Sequence, residues 1–266
     1  MKHYLLGIFL LVSFLQSAQA NVLEKKGKWT VYYGYNRAAY TKGDYHLTGN
    51  NYDFTLKNVS AQDRQSDLDS GTYGDPFAWS VPQNNIRFSY FLTDTLAISF
   101  GNDHMKYVMD SNQIVDFQGS INTGESGGAY DRSGNQKVNT DQILSFEHTD
   151  GLNFVSVEME QFKPLWLSSK GTHAFSLFWG PGLAIMYPKT NSRLFSRARN
   201  DDFHISGTGY SVKVGVEYIF NRWFTRLATK VGHINMDRAW TTSSSSDRLS
   251  HKFDFNQTFL VIGLYF

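Results

Sequence analysis

Residues 253–266 read FDFNQTFLVIGLYF, and this stretch decides the fold class. Its even positions from 258 onward carry Thr258, Leu260, Ile262, Leu264 and Phe266, whereas its odd positions mix aromatic, small and polar residues. An alternation of period two is typical of a β-strand, because successive side chains of a strand point to opposite faces. One face of this strand is apolar, and the question is whether it contacts a protein core or lipid.

Residues 1–20 predict a signal peptide. Lys2 and His3 precede the apolar run YLLGIFLLVSFLQ, and the A-x-A motif at 18–20 is typical of a cleavage site. An apolar core of roughly a dozen residues is too short for a spanning helix. We therefore expect an exported protein with a single domain over residues 21–266.

The composition narrows the class of protein. The chain of 266 residues has no cysteine, which excludes disulfides, thiolate metal sites and a lipoprotein anchor. The chain has 25 Lys and Arg against 24 Asp and Glu, so its composition lacks the excess of basic residues that is typical of a nucleic-acid-binding protein. An exported chain with 16% aromatic residues and many strand-like segments leaves two classes, a soluble β-sandwich and a transmembrane β-barrel.

Eight alternating segments predict eight strands. They cover residues 28–37, 83–92, 96–109, 152–162, 172–187, 205–220, 222–236 and 253–266. The apolar phase of the third segment changes midway, which predicts a bulge near Asp103 and His104. Along most segments one face carries large apolar residues, while the opposite face carries Gly, Ala, Ser and charges of both signs. That pattern favours an apolar exterior in lipid and a polar interior.

The connections between these segments alternate in length. Long polar connections lie near 38–82, 110–151, 188–204 and 237–252, and short ones lie at 93–95, 163–171 and 221. Long loops at one end and short turns at the other are typical of an outer-membrane barrel. We predict an all-β, transmembrane, up-and-down antiparallel β-barrel of eight strands with long extracellular surface loops. Counting 52–61 and 113–121 as spanning strands would give the alternative of ten, but we interpret them as extensions within the loops.

The end of the chain carries a resemblance to a known class. The signal peptide, the loop asymmetry and the terminal Phe266 behind Leu264 and Ile262 resemble bacterial outer-membrane β-barrel proteins. The resemblance implies the outer membrane of a Gram-negative bacterium, contact with outer-membrane lipid, and Phe266 as the signal read by the barrel assembly machinery. The segments GYNRAAY, YDFTL, DHMKYV, HTDGLN and YPKTN are also similar to a family of uncharacterised Gram-negative barrels, from which no activity transfers.

Charged residues on the predicted inward face form a candidate lumen network. Its members are Arg87, Glu158, Glu160, Lys213, Glu217, Arg226 and Lys230. An eight-stranded barrel has an interior just wide enough for side chains, and buried charges must pair. We expect ion pairs that close the lumen. The alternative, a selective ion path, needs a wider pore.

Four histidines from separate parts of the chain fall near the long-loop ends of the strands. The speculative catalytic residues are His104, His148, Asp202, His204 and His233, with further carboxylates nearby. A histidine with a carboxylate can polarise water, activate a serine or hold a metal. Polar loops also carry such residues without function, and this alternative is favoured.

Two hypotheses of function follow. The favoured one is a non-enzymatic structural, adhesive or ligand-binding surface protein, with a closed polar lumen, an unknown extracellular ligand, no cofactor and no metal. The alternative is an envelope hydrolase, either lipid A-modifying or an omptin-like protease, with a His/Asp site at the extracellular rim. Omptin-type proteases use an Asp–His pair in a comparable loop, and the lipid A deacylases are also eight-stranded barrels. Whether the chain is an enzyme remains open at this point, with a non-enzymatic role preferred.

Overall fold

The computed structural model describes residues 21–64 and 82–266, so the predicted signal peptide lies outside the described residues. The fifteen strands are β1 (Trp29–Tyr40), β2 (Gly43–Gly49), β3 (Tyr52–Val59), β4 (Ala61–Gln62), β5 (Asn84–Phe91), β6 (Leu96–Met109), β7 (Ile114–Ile121), β8 (Arg132–Asn139), β9 (Leu144–Leu167), β10 (His173–Met186), β11 (Lys189–Leu194), β12 (Asn200–Phe203), β13 (Gly207–Phe220), β14 (Trp223–Trp240) and β15 (Arg248–Tyr265). Two short 3-10 turns lie at Glu125–Gly128 and Thr140–Gln142. Within these ranges no helix has the length and apolar character needed to cross a membrane.

Eight of the strands form a closed ring. Neighbours follow the order β1-β5-β6-β9-β10-β13-β14-β15, all antiparallel, and β15 pairs again with β1 from Thr30 opposite Tyr265 to Tyr40 opposite Phe255. Because each strand of the ring is paired on both sides, no strand edge is left open within it. The predicted eight-stranded antiparallel barrel is confirmed by this closed register.

The remaining strands build a second region on one end of the ring, which we call the cap. It consists of β2, β3, β4, β7, β8, β11 and β12 together with the adjoining ends of β6, β9, β14 and β15. The sheet of the ring continues into it, since β15 pairs with β2 and the order then runs β2-β3-β7-β8. The segments β3 and β7 thus lie in the cap and not in the ring, so the ring has eight strands and not ten. We call the cap end upper and the opposite end, where Trp29 meets Phe266, lower.

The outer wall of the ring below the cap is apolar. Its exposed side chains, the apolar belt, include Tyr33, Phe88, Phe100, Val157, Leu183, Val212, Val214, Leu227, Leu260 and Ile262. Aromatic residues mark its lower edge, among them Trp29, Trp166, Trp223 and Phe266. Such a continuous apolar surface far exceeds what a soluble monomer exposes, and it is the surface that a bilayer requires of a spanning barrel.

The interior changes character with height. At the lower end, aromatic residues such as Phe162, Phe178 and Phe224 form one apolar cluster. Above it lies a layer of buried charges, described below. Higher still, the cap encloses a second and larger apolar cluster that includes Phe54, Phe117 and Tyr107. The charged layer therefore separates two apolar layers.

The predicted bulge in β6 lies at a different position. In β6 the odd residues are buried from Ala97 through Asp103 to Tyr107, so the inward face does not change near Asp103. The register against β9 shifts only between Met105 and Tyr107. The apolar phase changes because the interior becomes apolar where the strand enters the cap. The predicted irregularity near Asp103 and His104 thus lies just beyond His104, and it is not the cause of the apolar phase change.

Candidate functional site

The strand alternation brings charged side chains together inside the ring. Glu158 and Glu160 lie two residues apart on β9, so both point inward. Lys213 and Glu217 lie four residues apart on β13 and also point inward. Arg87 comes from β5, whereas Arg226 and Lys230 come from β14. All seven side chains are buried. The predicted lumen residues therefore occupy one layer of the barrel interior.

Glu158 and Glu160 are the anionic centre of the upper half of this layer. Glu158 accepts a hydrogen bond from Lys230 Nζ at 2.7 Å and forms ion pairs with Arg87 Nη2 at 2.8 Å and with Lys213 Nζ at 2.5 Å. Glu160 accepts from Lys213 at 2.5 Å and lies 3.3 Å from Arg226 Nη1. Each carboxylate thus faces at least two cations, as buried charges require.

Glu217 organises the lower half. Its Oε2 accepts from Arg226 Nε at 2.7 Å, its Oε1 accepts from Lys25 Nζ at 2.7 Å, and the Tyr265 hydroxyl donates to Oε2 at 3.0 Å. The guanidinium of Arg226 also lies 4.4 Å from the ring centre of Phe224. Cations, carboxylates and rings thus meet in one buried layer across the barrel interior.

Two members of this layer were missed by the sequence analysis. Lys25 precedes β1 and enters the barrel from below, with its Nζ 4.4 Å from the ring centre of Phe162. Asp103, named above only for the predicted bulge, is buried and pairs with Lys230 and, at 3.5 Å, with Arg87. Lys25 lies outside any alternating segment, so no periodicity signals it. The inward parity of Asp103 within β6 was an available signal.

The four rim histidines have separate surroundings. His104 is buried and its Nδ1 lies 2.9 Å from Asn153 Oδ1. His204 stacks on Trp240 with ring centres 4.5 Å apart, and the Trp240 N–H donates to its Nε2 at 3.1 Å. The neighbouring Asp202 is exposed on β12. His148 packs on Phe146 within the cap core.

His233 differs from the other three because it lies on the outer wall. Its Nδ1 lies 2.7 Å from Asp254 Oδ1, and the two residues are register partners on β14 and β15. Sequence reasoning did not single out Asp254, since an aspartate within a long strand gives no local signal for a histidine partner. Among the described residues no two of the four histidines hydrogen-bond each other, and no cluster of three or more His, Cys, Asp or Glu is arranged to hold a metal.

The cap core contains a further buried histidine, which the sequence analysis did not consider. His251 on β15 packs against Tyr45 and Phe253, with ring centres 4.8 Å away in both cases. Its ring nitrogens and those of His148 have no hydrogen-bond partner among the described protein atoms. Burial lowers the pKa of His251 to about 3 and holds the pKa of His148 well below its ordinary value. Both rings are therefore neutral at pH 7.

Comparison with known proteins gives structural matches only. No protein-family model matches the chain, and no curated protein matches it significantly. The outer membrane protein OprG from Pseudomonas aeruginosa is similar at 11% identity and a TM-score of 0.43, over 94% of this chain and 99% of its own. Ail, the attachment invasion locus protein of Yersinia pestis, is similar at 9% identity and a TM-score of 0.36, over 91% and 99% of the two chains. The outer membrane protein AlkL is similar at 12% identity and a TM-score of 0.39, over 94% and 93%.

Proposed function

We propose that the chain is a surface protein of the Gram-negative outer membrane, in which the ring is a sealed anchor and the cap binds an extracellular ligand or surface. The observation that carries this proposal is the buried charged layer. Glu158, Glu160 and Glu217 pair with cations from β5, β13 and β14, and all of these side chains are buried inside the ring. A barrel closed in this way anchors a protein but does not conduct solutes, so its function lies at the cap.

The outer face of the cap supports a binding role. Charged side chains there form exposed pairs, such as Lys57 with Asp44 at 2.8 Å and Lys137 with Asp116 at 2.8 Å. Such pairs keep the sheet soluble while leaving charged and polar groups available to a ligand. The edge strand β8 adds a row of main-chain groups that, within residues 21–64 and 82–266, pair only with β7.

A polar cavity of about 560 Å³ in the cap is the most suitable place for a ligand. Its lining includes Arg197, Arg199, Thr242, Ser244 and Asp247. Arg197 is held by Glu125 at 2.7 Å and by Asp247 at 2.5 Å, which fixes one wall. Arg199 is more than half exposed and lies 4.0 Å from Glu147. A fixed wall beside an exposed guanidinium favours a polar ligand with acceptor oxygens.

Within this proposal, Phe266 is the residue that the barrel assembly machinery reads. Its side chain is 59% exposed at the lower edge of the belt. Its main chain is fixed by reciprocal hydrogen bonds with Trp29, both of 2.9 Å. The terminal aromatic ring is thus presented outward on an ordered strand.

Two measurements test the proposal. In a planar bilayer the purified chain should show no conductance steps, and steady conductance would contradict the sealed lumen. Bacteria displaying the chain should bind at least one member of a panel of immobilised polysaccharides and matrix proteins, and Arg199→Glu should reduce that binding. Lys137→Glu is the matched control, because Lys137 is exposed on the cap but does not line the cavity. Absence of binding by the unaltered chain to the whole panel would count against a ligand-binding cap.

An envelope hydrolase is the second candidate, and the His233–Asp254 pair is what favours it. A carboxylate on Nδ1 of a histidine orients the ring so that Nε2 can accept a proton from water. If His233→Ala leaves both the lipid A profile and surface proteolysis unchanged, this candidate is excluded.

A further inference from the structure

The His233–Asp254 pair lies at the upper edge of the apolar belt. Val231 occupies the same outward face of β14 two residues below His233, and it is exposed like the rest of the belt. On β15 the outward residue two positions above Asp254 is Lys252, which belongs to the cap side. On β15 the outward residues below Asp254, Asn256 and Thr258, are polar as well, so the pair lies within a polar strip on β15 and directly above the apolar belt on β14.

A groove in the outer wall begins at this pair. It has a volume of about 550 Å³, and its walls include Ala39, Tyr210, Val212 and Val231. Part of its floor is Gly232, where an added Cβ would lie 2.5 Å from the Phe255 ring. That Cβ would point into the barrel, since the even-numbered residues of β14 face inward, so the groove meets only the backbone of Gly232. The groove is continuous with the apolar belt, since Val212 and Val231 belong to both.

The hydrogen-bonding capacity of the pair is specific. A carboxylate accepts hydrogen bonds, so the Nδ1 of His233 that lies against Asp254 is the donor, and in that imidazole tautomer Nε2 is an acceptor. The Asp254 N–H donates to the Thr41 hydroxyl at 2.9 Å, which holds the strand segment in place. The upper end of the groove thus presents acceptors, the His233 Nε2 and the Asp254 carboxylate, to a group that donates.

The remaining lining excludes an anionic headgroup and favours a sugar. No Lys or Arg is among the described residues that line the groove, so a phosphate would meet a carboxylate with no cation to balance it. The Tyr210 ring lies beside the imidazole with centres 5.5 Å apart and planes inclined by 30°. These two rings form a flat apolar wall against which the C–H face of a pyranose can pack.

We propose that this groove is a glycolipid site. An acyl chain lies over Val212 and Val231, and hydroxyls of an uncharged sugar headgroup donate to His233 Nε2 and to the Asp254 carboxylate. The occupant is a lipid because the groove opens onto the belt, where hydrocarbon chains are the solvent. The inference rests on the proposed position of the ring in a membrane, and it adds a ligand to the outer wall that the sealed lumen and the cap do not require.

Native mass spectrometry of the full chain released from nanodiscs tests the inference. The probes are monogalactosyl diacylglycerol and phosphatidylcholine with identical acyl chains, offered in equal amounts. We expect preferential retention of the galactolipid, and about a tenfold loss of that preference in His233→Phe, since about 1.4 kcal/mol of hydrogen bonding corresponds to tenfold. Val231→Trp, which fills the groove and leaves the pair intact, should also reduce retention.

The chain offers a matched control. His46 and Asp53 form a second His–Asp pair, 2.8 Å apart, exposed on the cap and remote from the belt. His46→Phe should leave lipid retention unchanged. Equal retention of the two lipids by the unaltered, folded barrel, or an equal loss in His46→Phe, overturns the glycolipid site and leaves the sealed anchor standing. A chain that is monodisperse without detergent overturns both.

Discussion

The ring and the cap share strands yet follow opposite rules. In the lower half of β15, Leu260 and Ile262 face outward and are exposed, while Gln257 is buried inside. In the upper half of the same strand, Phe253 and Leu249 are buried inside, while the outward residues are polar. The alternation of period two continues along the whole strand: the inward residues are apolar at both ends with Gln257 between them, whereas the outward residues change from polar above to apolar below.

The difference teaches that the surroundings decide which face is apolar. Where hydrocarbon lies outside, the outward face is apolar, and the interior holds a layer of ion pairs around Glu158 and Glu217 above an apolar cluster. Where water lies outside, burial of apolar surface stabilises the cap, and rings such as Phe54 and Phe117 stack inside at 5.2 Å. Substitutions that act differently in the two regions test this comparison.

The largest effect is expected in the charged layer. Glu217→Gln leaves Lys25 and Arg226 without their shared carboxylate, and breaking a buried ion pair from one side costs about 3–5 kcal/mol. We expect a loss of that size in the free energy of unfolding, measured by urea titration of the refolded barrel in lipid vesicles. A loss below about 1 kcal/mol would show that the layer is not the structural centre of the ring.

The second largest effect is expected from a charge placed on the outer wall, which should destabilise the ring but not the cap. Leu227→Arg puts a guanidinium in the belt and should destabilise the barrel by about 2–4 kcal/mol. The same change at Thr55, which faces outward from β3 in the cap, should have almost no effect. The measurement is the same urea titration, and equal effects at the two positions would contradict a lipid-facing belt.

Lowering the pH should destabilise the cap, because its buried histidines must then be protonated. Burial lowers the folded-state pKa of both His148 and His251, so the unfolded cap binds more protons below about pH 6.5. Their contribution is fully present above that pH and falls by about 1.4 kcal/mol per pH unit for each histidine as the pH drops. Protease cleavage of the cap should therefore rise between pH 7 and pH 5, and His251→Phe should flatten the rise. Cleavage that is independent of pH would refute this assignment.

The smallest effect belongs to the exposed pairs of the cap. Lys57→Ala removes the partner of Asp44, and exposed pairs contribute about 0.2–1 kcal/mol. Asp44 retains the Asn58 N–H as a donor at 3.0 Å, which limits the loss further. A loss comparable to that of Glu217→Gln would remove the contrast between buried and exposed charges.

The ring was predictable because its signal is local. Parity alone placed Glu158 with Glu160, and Lys213 with Glu217, on one face, and the structure has all four inside the barrel. Loop asymmetry gave the number of spanning strands, which the closed register confirms.

The cap and the outer-wall pair were not predictable, because their signals are nonlocal. The pairing of β2 with β15 joins His46 to Ser250, which are far apart in the chain, and no alternation within either segment announces it. Asp254 gains significance only through its register with His233. The apolar phase change in β6 was interpreted as a bulge, because the sequence alone does not show at which residue a strand leaves the membrane and enters the cap.

The seam between β1 and β15 has a consequence for biogenesis. The two strands that close the cylinder are the first and the last to be synthesised, and their main chains meet between Trp29 and Phe266. Until β15 has formed, every assembly intermediate is an open sheet with two edge strands. The unpaired N–H and C=O groups of these edges promote aggregation in water and are unfavourable in hydrocarbon. Protection of the unpaired edges of β1 and of the last strand formed, rather than formation of the hairpins between them, is therefore the step for which assembly of this barrel needs help.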